Sequence, residues 1–428
     1  MSGVDDRTGV VQRERAFKFR FFPSGEQERV LRRHFGAARF VWNWGLAVRI
    51  SNWETDRTRV NGSDLGVLYT ALKTEHGLEW LSDISTSAMQ QVLRDQDRAF
   101  ANFFASIKGA RAGARVGFPR FRSRSRGKKS LRFTRKMFRL DGQELYLEKM
   151  RDSPLQVEWS RPLPDGAVPS SVTVSLDPSG RWFVSILCVD NVAALPTVEP
   201  ERVVGVDLGL KTFAVLSDGT EVEHPKLLAR KEARLRRYQR ALSRKVGSQH
   251  GERKSRNFEK ARKKVARQHV KVADARRDFL HKETTRLVRT YDIICIEDLA
   301  VKNMVRNRHL AKSISDSGWS EFRTLLSYKT DWYGKRLVVI DRFAPTSKTC
   351  SDCGTINQQL ALADREWVCE GCGTLHDRDV NAARNILTAG LAVTACGEDV
   401  RPTRPHGVAR KGRRTSMKQE PTEARLTA

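Results

Sequence analysis

Apolar and polar residues alternate through residues 16–22 (AFKFRFF), the two-residue period of a half-buried strand, and Pro23 ends the run. Ser24 and Gln27 have the spacing of a capping box, so a helix is expected to begin there. Its apolar positions run through Val30, Leu31, Phe35, Ala38 and Val41 towards Leu46. A second amphipathic helix is predicted over 87–107, with Met89, Val92, Phe100, Phe103 and Phe104 on its apolar positions. Short alternating segments at 144–149, 155–160, 171–176 and 182–189 read as strands, the last two joined by the turn Asp177-Pro178-Ser179-Gly180. Together with 16–22 they predict a small β domain into which the helices of about 25–115 are inserted.

The pattern changes beyond a Pro-containing linker at 192–201. Residues 202–208 and 213–216 are apolar strands, followed by the turn Ser217-Asp218-Gly219. Two long polar helices are predicted at about 226–245 and 253–290, broken around Gly247 and Gly251. A buried-type strand at 293–296, a helix at 322–333, a strand at 336–341 and a last amphipathic helix to about Leu391 complete an α/β arrangement. The tail from Gly397 is polar, Pro-containing and basic, and is expected to be disordered. No apolar run approaches the roughly 18 residues of a membrane helix, and residues 1–15 do not resemble a secretory signal. The expected location is the bacterial cytoplasm and nucleoid, with no membrane partner.

Charge narrows the class of partner. The chain of 428 residues has 78 Lys and Arg against 50 Asp and Glu, a formal net charge of +28. Such an excess suits a polyanion, because each neutralised phosphate releases condensed counterions. Residues 226–290 hold 23 Lys or Arg against six Asp or Glu, more than half of the excess. Arg262, Lys263 and Lys264 lie there and are candidates for backbone contacts. The loop 117–129 (GFPRFRSRSRGKK) is the second basic segment. Its Arg120, Arg122, Arg124, Arg126, Lys128 and Lys129 are candidates for gripping phosphates. Phe118 and Phe121 either stack on a base or form local core, whereas Trp42 and Trp44 are expected to pack the helical region.

Two constellations carry chemistry. Asp207 closes the apolar strand VVGVD, Glu297 closes IICIE, and Asp379 stands in DRDVNAARNIL at the start of a helix. A carboxylate at the end of a buried strand is costly unless a cation or donor meets it. Two such strands side by side, with the helix crossing their ends, would gather three carboxylates. Those are hard oxygen ligands suited to Mg²⁺ or Mn²⁺, and a metal pair of that kind supports phosphodiester hydrolysis. Singly, each acid has a plainer reading: Asp207 as a turn residue, Glu297 as an ion-pair partner, Asp379 as an N-cap. Asp298 follows Glu297 and should face the other way; Asp377 is harder to set aside. The second constellation is Cys350-x₂-Cys353-x₁₅-Cys369-x₂-Cys372, the spacing of a four-cysteine structural zinc site. Gly354 and Gly373 follow each pair, where knuckle turns need small residues. The remaining cysteines, Cys188, Cys295 and Cys396, stand alone.

At GVDLGLKTFAVLSDG, CIEDL and DRDVNAARNIL, with the cysteine set between the last two, the chain resembles the TnpB/OrfB family of insertion-sequence proteins, relatives of the type V CRISPR effector nucleases. The opening FKFRFFPSGEQERVLRRHFGAARFVWNWGLA and the loop GFPRFRSRSRGKKSLRF are also similar, so the likeness reaches about Gly397. The resemblance implies an RNA-guided, metal-dependent DNA endonuclease with Asp207, Glu297 and Asp379 as its RuvC-like triad. It implies a non-coding guide RNA and a double-stranded DNA target beside a short flanking motif; with no recombinase motif in the chain, a role beside a separate transposase of the same element is expected. The expected layout is a β-barrel-like wedge domain at 1–24 and 116–191 and a helical recognition insertion at 25–115. An RNase H-like (RuvC) nuclease domain at 192–344 and 376–396 follows, with a zinc ribbon at 345–375 and a disordered basic tail at 397–428. The rival readings are a guided DNA-binding protein without useful cleavage, and a transposase that joins strands itself. No clear serine- or tyrosine-recombinase motif supports the latter.

Overall fold

The computed structural model describes residues 4–5, 10–111, 113–124, 127–193, 201–245, 255–361 and 364–395. Arg126, Cys396, the tail from 397 and the helix break around Gly247 and Gly251 lie outside the described residues, as do positions 194–200 of the linker. The chain forms two compact units, 1–196 with 231–273 and 197–230 with 274–428. Residues 231–273, read from sequence as part of the nuclease domain, thus cluster with the first unit.

In the first unit, strands β1 (Val4–Asp5), β2 (Val10–Phe22), β3 (Lys129–Thr134), β4 (Phe138–Asp141), β5 (Glu144–Leu147), β6 (Met150–Glu158), β7 (Val168–Leu176) and β8 (Trp182–Ala193) form one sheet. Its order is β3-β7-β8-β2-β6-β5-β4, with β1 on β2. The outermost strands β3 and β4 are joined by only Arg135–Met137. Six strand spacings of a flat sheet would span about 29 Å, beyond the reach of that link, so the sheet curls towards closure. Phe17, Phe19 and Phe21 of β2 alternate into its core beside Val184 and Ile186 of β8.

The helices α1 (Gly25–Asp56), α2 (Gly62–Leu72) and α3 (Thr86–Ile107) follow β2. The Ser24 hydroxyl accepts from the Gln27 amide at 3.2 Å, and the Gln27 side chain accepts from the Ser24 amide at 3.0 Å, which closes the expected capping box. α1 outruns its apolar stripe: its buried residues end at Leu46, but no Gly or Pro interrupts 47–56 and the helix continues to Asp56. The polar stretch behind it holds α2, capped by Asn61, with Leu65 and Tyr69 fully buried.

The second unit is built on a five-stranded sheet of β9 (Val203–Leu208), β10 (Thr212–Leu216), β11 (Glu221–Glu223), β12 (Ile293–Glu297) and β13 (Arg336–Ile340), in the order β11-β10-β9-β12-β13. β9, β10 and β11 form an antiparallel meander; β12 runs parallel to both β9 and β13. Of the long helices α4 (Leu227–Ser243) and α5 (Arg256–Thr290), the end of α5 brings Leu280 and Leu287 to this unit. The short α6 (Val301–Met304) and α7 (Ala311–Ser317) lead to α8 (Trp319–Tyr333). Val204, Val206, Ile294 and Ile296 share a core with α5 and with Phe322 and Leu326 of α8. The alternate positions Ile293, Cys295, Val338 and Ile340 instead meet Ile386 of α9 (Arg378–Ala395). A side-chain period of two thus assigns each strand residue to one of two helical layers.

The approach of α9 depends on two glycines. A Cβ on Gly205 would lie 2.0 Å from the Ala383 carbonyl oxygen, and one on Gly390 would lie 2.3 Å from the Cys295 sulfur. Backbone contact of this kind fixes the height of α9 over β9 and β12. Between β13 and α9 the chain makes the small hairpin of β14 (Glu366–Val368) and β15 (Leu375–Asp377).

Candidate functional site

The sheet parity brings the acids together. Asp207 shares its β9 face with Gly205, and Glu297 shares its β12 face with Cys295, both on the side covered by α9. Asp379 lies in the first turn of α9. The electrostatics report their proximity. Burial, then the charges of Glu297 and Asp379, push the Asp207 carboxyl from 3.8 up to about 7. A cation among such crowded carboxylates would bring the Asp207 value down again. The three are not as tightly gathered as the cysteine sulfurs, and two have partners of their own. Glu297 accepts from the Thr346 hydroxyl at 2.6 Å, and Asp379 from Arg365 at 3.1 Å.

The neighbouring acids do other work. Asp298 faces away and pairs with Arg323 of α8 and with Arg342, which hold its carboxyl below the usual range against some burial. Asp377 accepts from the Val380 amide at 2.8 Å, so it caps α9. The helix cap is therefore Asp377, while the Asp379 carboxylate pairs with Arg365.

The four cysteines converge. The ligand atoms of Cys350, Cys353, Cys369 and Cys372 all lie within 4.8 Å of one another, a group that could hold a metal ion. The measured edges are 3.7 Å for Cys350–Cys372 and 3.5 Å for Cys353–Cys369. A tetrahedron of sulfurs about 2.3 Å from zinc has edges of about 3.8 Å, so the sulfur set fits that ion. Two matching turns build it. The Cys350 amide donates to Thr355 and the Cys369 amide to Thr374, while Gly354 (φ +79°) and Gly373 (φ +73°) take the left-handed conformation. Hydrogen bonds with Thr355 and Thr374 pull the Cys353 and Cys372 thiols down, whereas burial pushes the Cys350 thiol up to about 12.

Sequence reading missed the residues that link these centres. His376 Nε2 is 3.0 Å from the Cys350 sulfur, and its ring lies against Trp367. Asn381 and Asn385, inside the quoted DRDVNAARNIL, hold the chain that leads to Cys350. A signal existed: amides on the core-facing side of an amphipathic helix require partners.

One family model, OrfB_IS605, described as "Probable transposase", matches residues 178–308. A Cas12f1-like TNB domain matches 319–386. A protein of Streptomyces pristinaespiralis, named "Putative RNA-guided DNA endonuclease", is 46% identical over 415 residues, covering 97% of this chain and 98% of that protein. The chain belongs to the TnpB/OrfB family. A second TnpB/OrfB relative, the protein InsQ of Escherichia coli K12, carries the same description and is 35% identical over 96% of this chain and 98% of its own length. Among solved structures, a Cas12f1–sgRNA–target DNA complex aligns with 89% of the chain and 99% of its own at 13% identity and a TM-score of 0.49. A further model, HTH_OrfB_IS605, described as a helix-turn-helix domain, matches residues 13–58. In this TnpB/OrfB chain that segment is β2 followed by the single helix α1.

The candidate nucleic-acid residues all lie in the first unit. The loop backbone is fixed to α1: Trp42 Nε1 donates to the Arg120 carbonyl at 3.0 Å, and Asn43 exchanges two hydrogen bonds with Arg122. The Arg122 guanidinium sits 3.6 Å over the Trp42 ring, and burial holds it below its ordinary value. Trp42 thus packs the helical region, with the Arg122 guanidinium over its ring. Arg120, Arg124, Lys128 and Lys129 are exposed. Partial burial, then Arg32, Arg262 and Arg124, keep the Lys129 amine below its usual value, which marks a cationic cluster. Arg262 pairs with Glu259, while Lys263 and Lys264 are exposed. Phe118 meets Phe100 and Phe103 edge-on but is 46% exposed, and Phe121 is 58% exposed. No helix of the described residues is long and apolar enough to cross a membrane.

Proposed function

We propose that this chain is an RNA-guided DNA endonuclease of a bacterial insertion sequence, acting in the cytoplasm on nucleoid DNA. Asp207, Glu297 and Asp379 are its catalytic acids on an RNase H-like (RuvC) framework. The observation that carries the reading is the shared facing of Asp207 and Glu297 towards the helix that holds Asp379 in its first turn. The relatives described as RNA-guided DNA endonucleases span nearly the whole chain, which supports guide and target alike.

The acids fit a hard divalent cation, because the raised Asp207 carboxyl is relieved when positive charge enters the cluster. Bound there, Mg²⁺ or Mn²⁺ supplies the charge that favours attack of water on a phosphodiester and departure of the leaving oxygen. The protein holds three carboxylates on two rigid strands and a helix, so little reorganisation is needed when the DNA strand arrives. Cys350, Cys353, Cys369 and Cys372 hold one structural zinc, since four thiolates leave no open position for substrate. Arg120, Arg124, Lys128, Lys129, Arg262, Lys263 and Lys264 contact the backbone of the non-coding guide RNA or its duplex with target. Guide pairing selects the sequence and protein reads a short flanking motif. Strand joining is assigned to a separate transposase of the same element.

The test is plasmid cleavage with Mg²⁺, the co-purified RNA and a library of flanking sequences. Asp207→Ala, Glu297→Gln and Asp379→Asn should each slow cutting at least about a hundredfold and spare matched-DNA binding. Wild-type rates in the Asp207→Ala protein would overturn the assignment. Binding without cutting by the wild type, with either metal, would make the chain a guided repressor instead.

A further inference from the structure

Glu297 does not stand free at the end of β12. Its Oε1 accepts the Thr346 hydroxyl proton at 2.6 Å. Thr346 belongs neither to the sheet nor to α9. It lies in the segment between β13 and Cys350, and only 6% of it is exposed.

That segment is held from α9. Asn385 Nδ2 donates to the Thr346 carbonyl at 2.8 Å and to the Thr349 carbonyl at 2.6 Å. Asn381 Nδ2 donates to the Thr349 carbonyl at 2.7 Å, and its Oδ1 accepts from the Ser351 amide at 2.8 Å. The two asparagines are four residues apart, so they project from one face of the helix. That helix also carries Asp379 in its first turn. Asn381 is almost wholly buried, and its amide is partnered on both its donor and acceptor sides. Apolar side chains would suffice to bury a loop. Directional amide contacts to Thr346, Thr349 and Ser351 fix its backbone at named positions instead.

We propose that residues 344–351 form a positioning strap for Glu297. Thr346 selects one orientation of the carboxylate through Oε1, and Oε2 would be the oxygen left to hold a cation. Asn381 and Asn385 keep Thr346 in register with the helix that supplies Asp379. Groups that bond to a ligating carboxylate set its direction and basicity, so they tune the metal without touching it. The strap runs directly into Cys350, which makes the ribbon its second anchor. The proposal rests on the reading of Glu297 as a metal ligand.

The experiment compares Thr346→Val, Thr346→Ser and Asn385→Ala with wild type, each as full chain with guide RNA. Single-turnover cleavage is measured across Mg²⁺ concentrations, together with zinc content, matched-DNA binding and hydrogen exchange of residues 344–351. Thr346→Val should cut about tenfold to a hundredfold more slowly and need more Mg²⁺ for half its maximal rate. Thr346→Ser, which keeps the hydroxyl, should restore most of the rate. Asn385→Ala should speed exchange in the strap and slow cutting, with zinc and DNA binding retained. If Thr346→Val loses zinc or DNA binding, Thr346→Ala serves the same comparison. An unchanged Mg²⁺ dependence in Thr346→Val, or slowing that serine does not relieve, would overturn the strap. Full cleavage by Glu297→Gln would instead sink the catalytic reading beneath it.

Discussion

Replacing Asp207 with asparagine should make the protein inactive and more stable at the same time. The wild-type carboxyl is desolvated beside two other acids and ionises near pH 7 instead of 3.8. With 1.36 kcal/mol for each tenfold change, full ionisation costs the fold about 4 kcal/mol. Water and side-chain adjustment in the half-buried pocket reduce the expected difference to about 2 kcal/mol. The sign follows from proton binding. Between about pH 4 and pH 7 the folded state holds a proton that the unfolded chain has released, so stability falls as pH rises through that window and is level above it. The neutral amide of the Asp207→Asn protein has no such dependence. The assay is urea denaturation of both proteins from pH 5 to pH 8 in buffer free of Mg²⁺, with zinc content checked. The asparagine variant's advantage should widen up to about pH 7 and then hold. Added Mg²⁺ at pH 8 should stabilise the wild type and narrow the gap. Parallel stability curves across the range, or a variant weaker throughout, would refute the crowded-carboxylate argument, because an ordinary structural aspartate is missed when it is removed.

The other expectations concern the scaffold. Metal analysis should find about one zinc per chain, lost in Cys369→Ser with local destabilisation; disulfides among these four cysteines would contradict the ribbon. Gly205→Ala should lose about 1–3 kcal/mol or more and most cleavage, because its Cβ would meet the Ala383 carbonyl at 2.0 Å. Gly36→Ala, inside α1 with open space around it, is the control and should be neutral or stabilising by up to about 1 kcal/mol in thermal melts. RNA affinity should fall with log salt at a slope of about −6 to −7 if roughly 8 phosphates are neutralised. Charge reversal at Lys263 and Lys264 should flatten that slope in a filter-binding titration, whereas Arg122→Glu should mainly unsettle the loop on Trp42.

Legibility in the sequence followed the strength of local signals. The capping box at Ser24 placed the start of α1, and the apolar runs VVGVD and IICIE placed β9 and β12 to within a residue. The two-residue period then sufficed to separate Glu297 from Asp298. β3 and β4 were not foreseen, since each is short and only Leu131 and Phe133 of their residues are buried. α2 was hidden because the exposed Val67 and Leu68 blur the helical period of Leu65, Tyr69 and Leu72. Thr346 was out of reach, because nothing near it in the chain announces a contact with a residue 49 positions earlier. Arg122 was read as a phosphate ligand on composition alone; its place over Trp42 is a tertiary fact.

The order of the elements also has a consequence in time. Domains form as the chain leaves the ribosome, earlier segments first. The basic loop, both long helices and the strands ending in Asp207 and Glu297 are all made before α9. Until α9 arrives, the sheet face of Ile293, Cys295 and Val338 is bare and the third acid is missing. In the proposed reading a nascent chain therefore makes its candidate RNA-contacting segments before its third acid, and a chain that loses its last helix to a premature stop or a protease would keep the former without the latter.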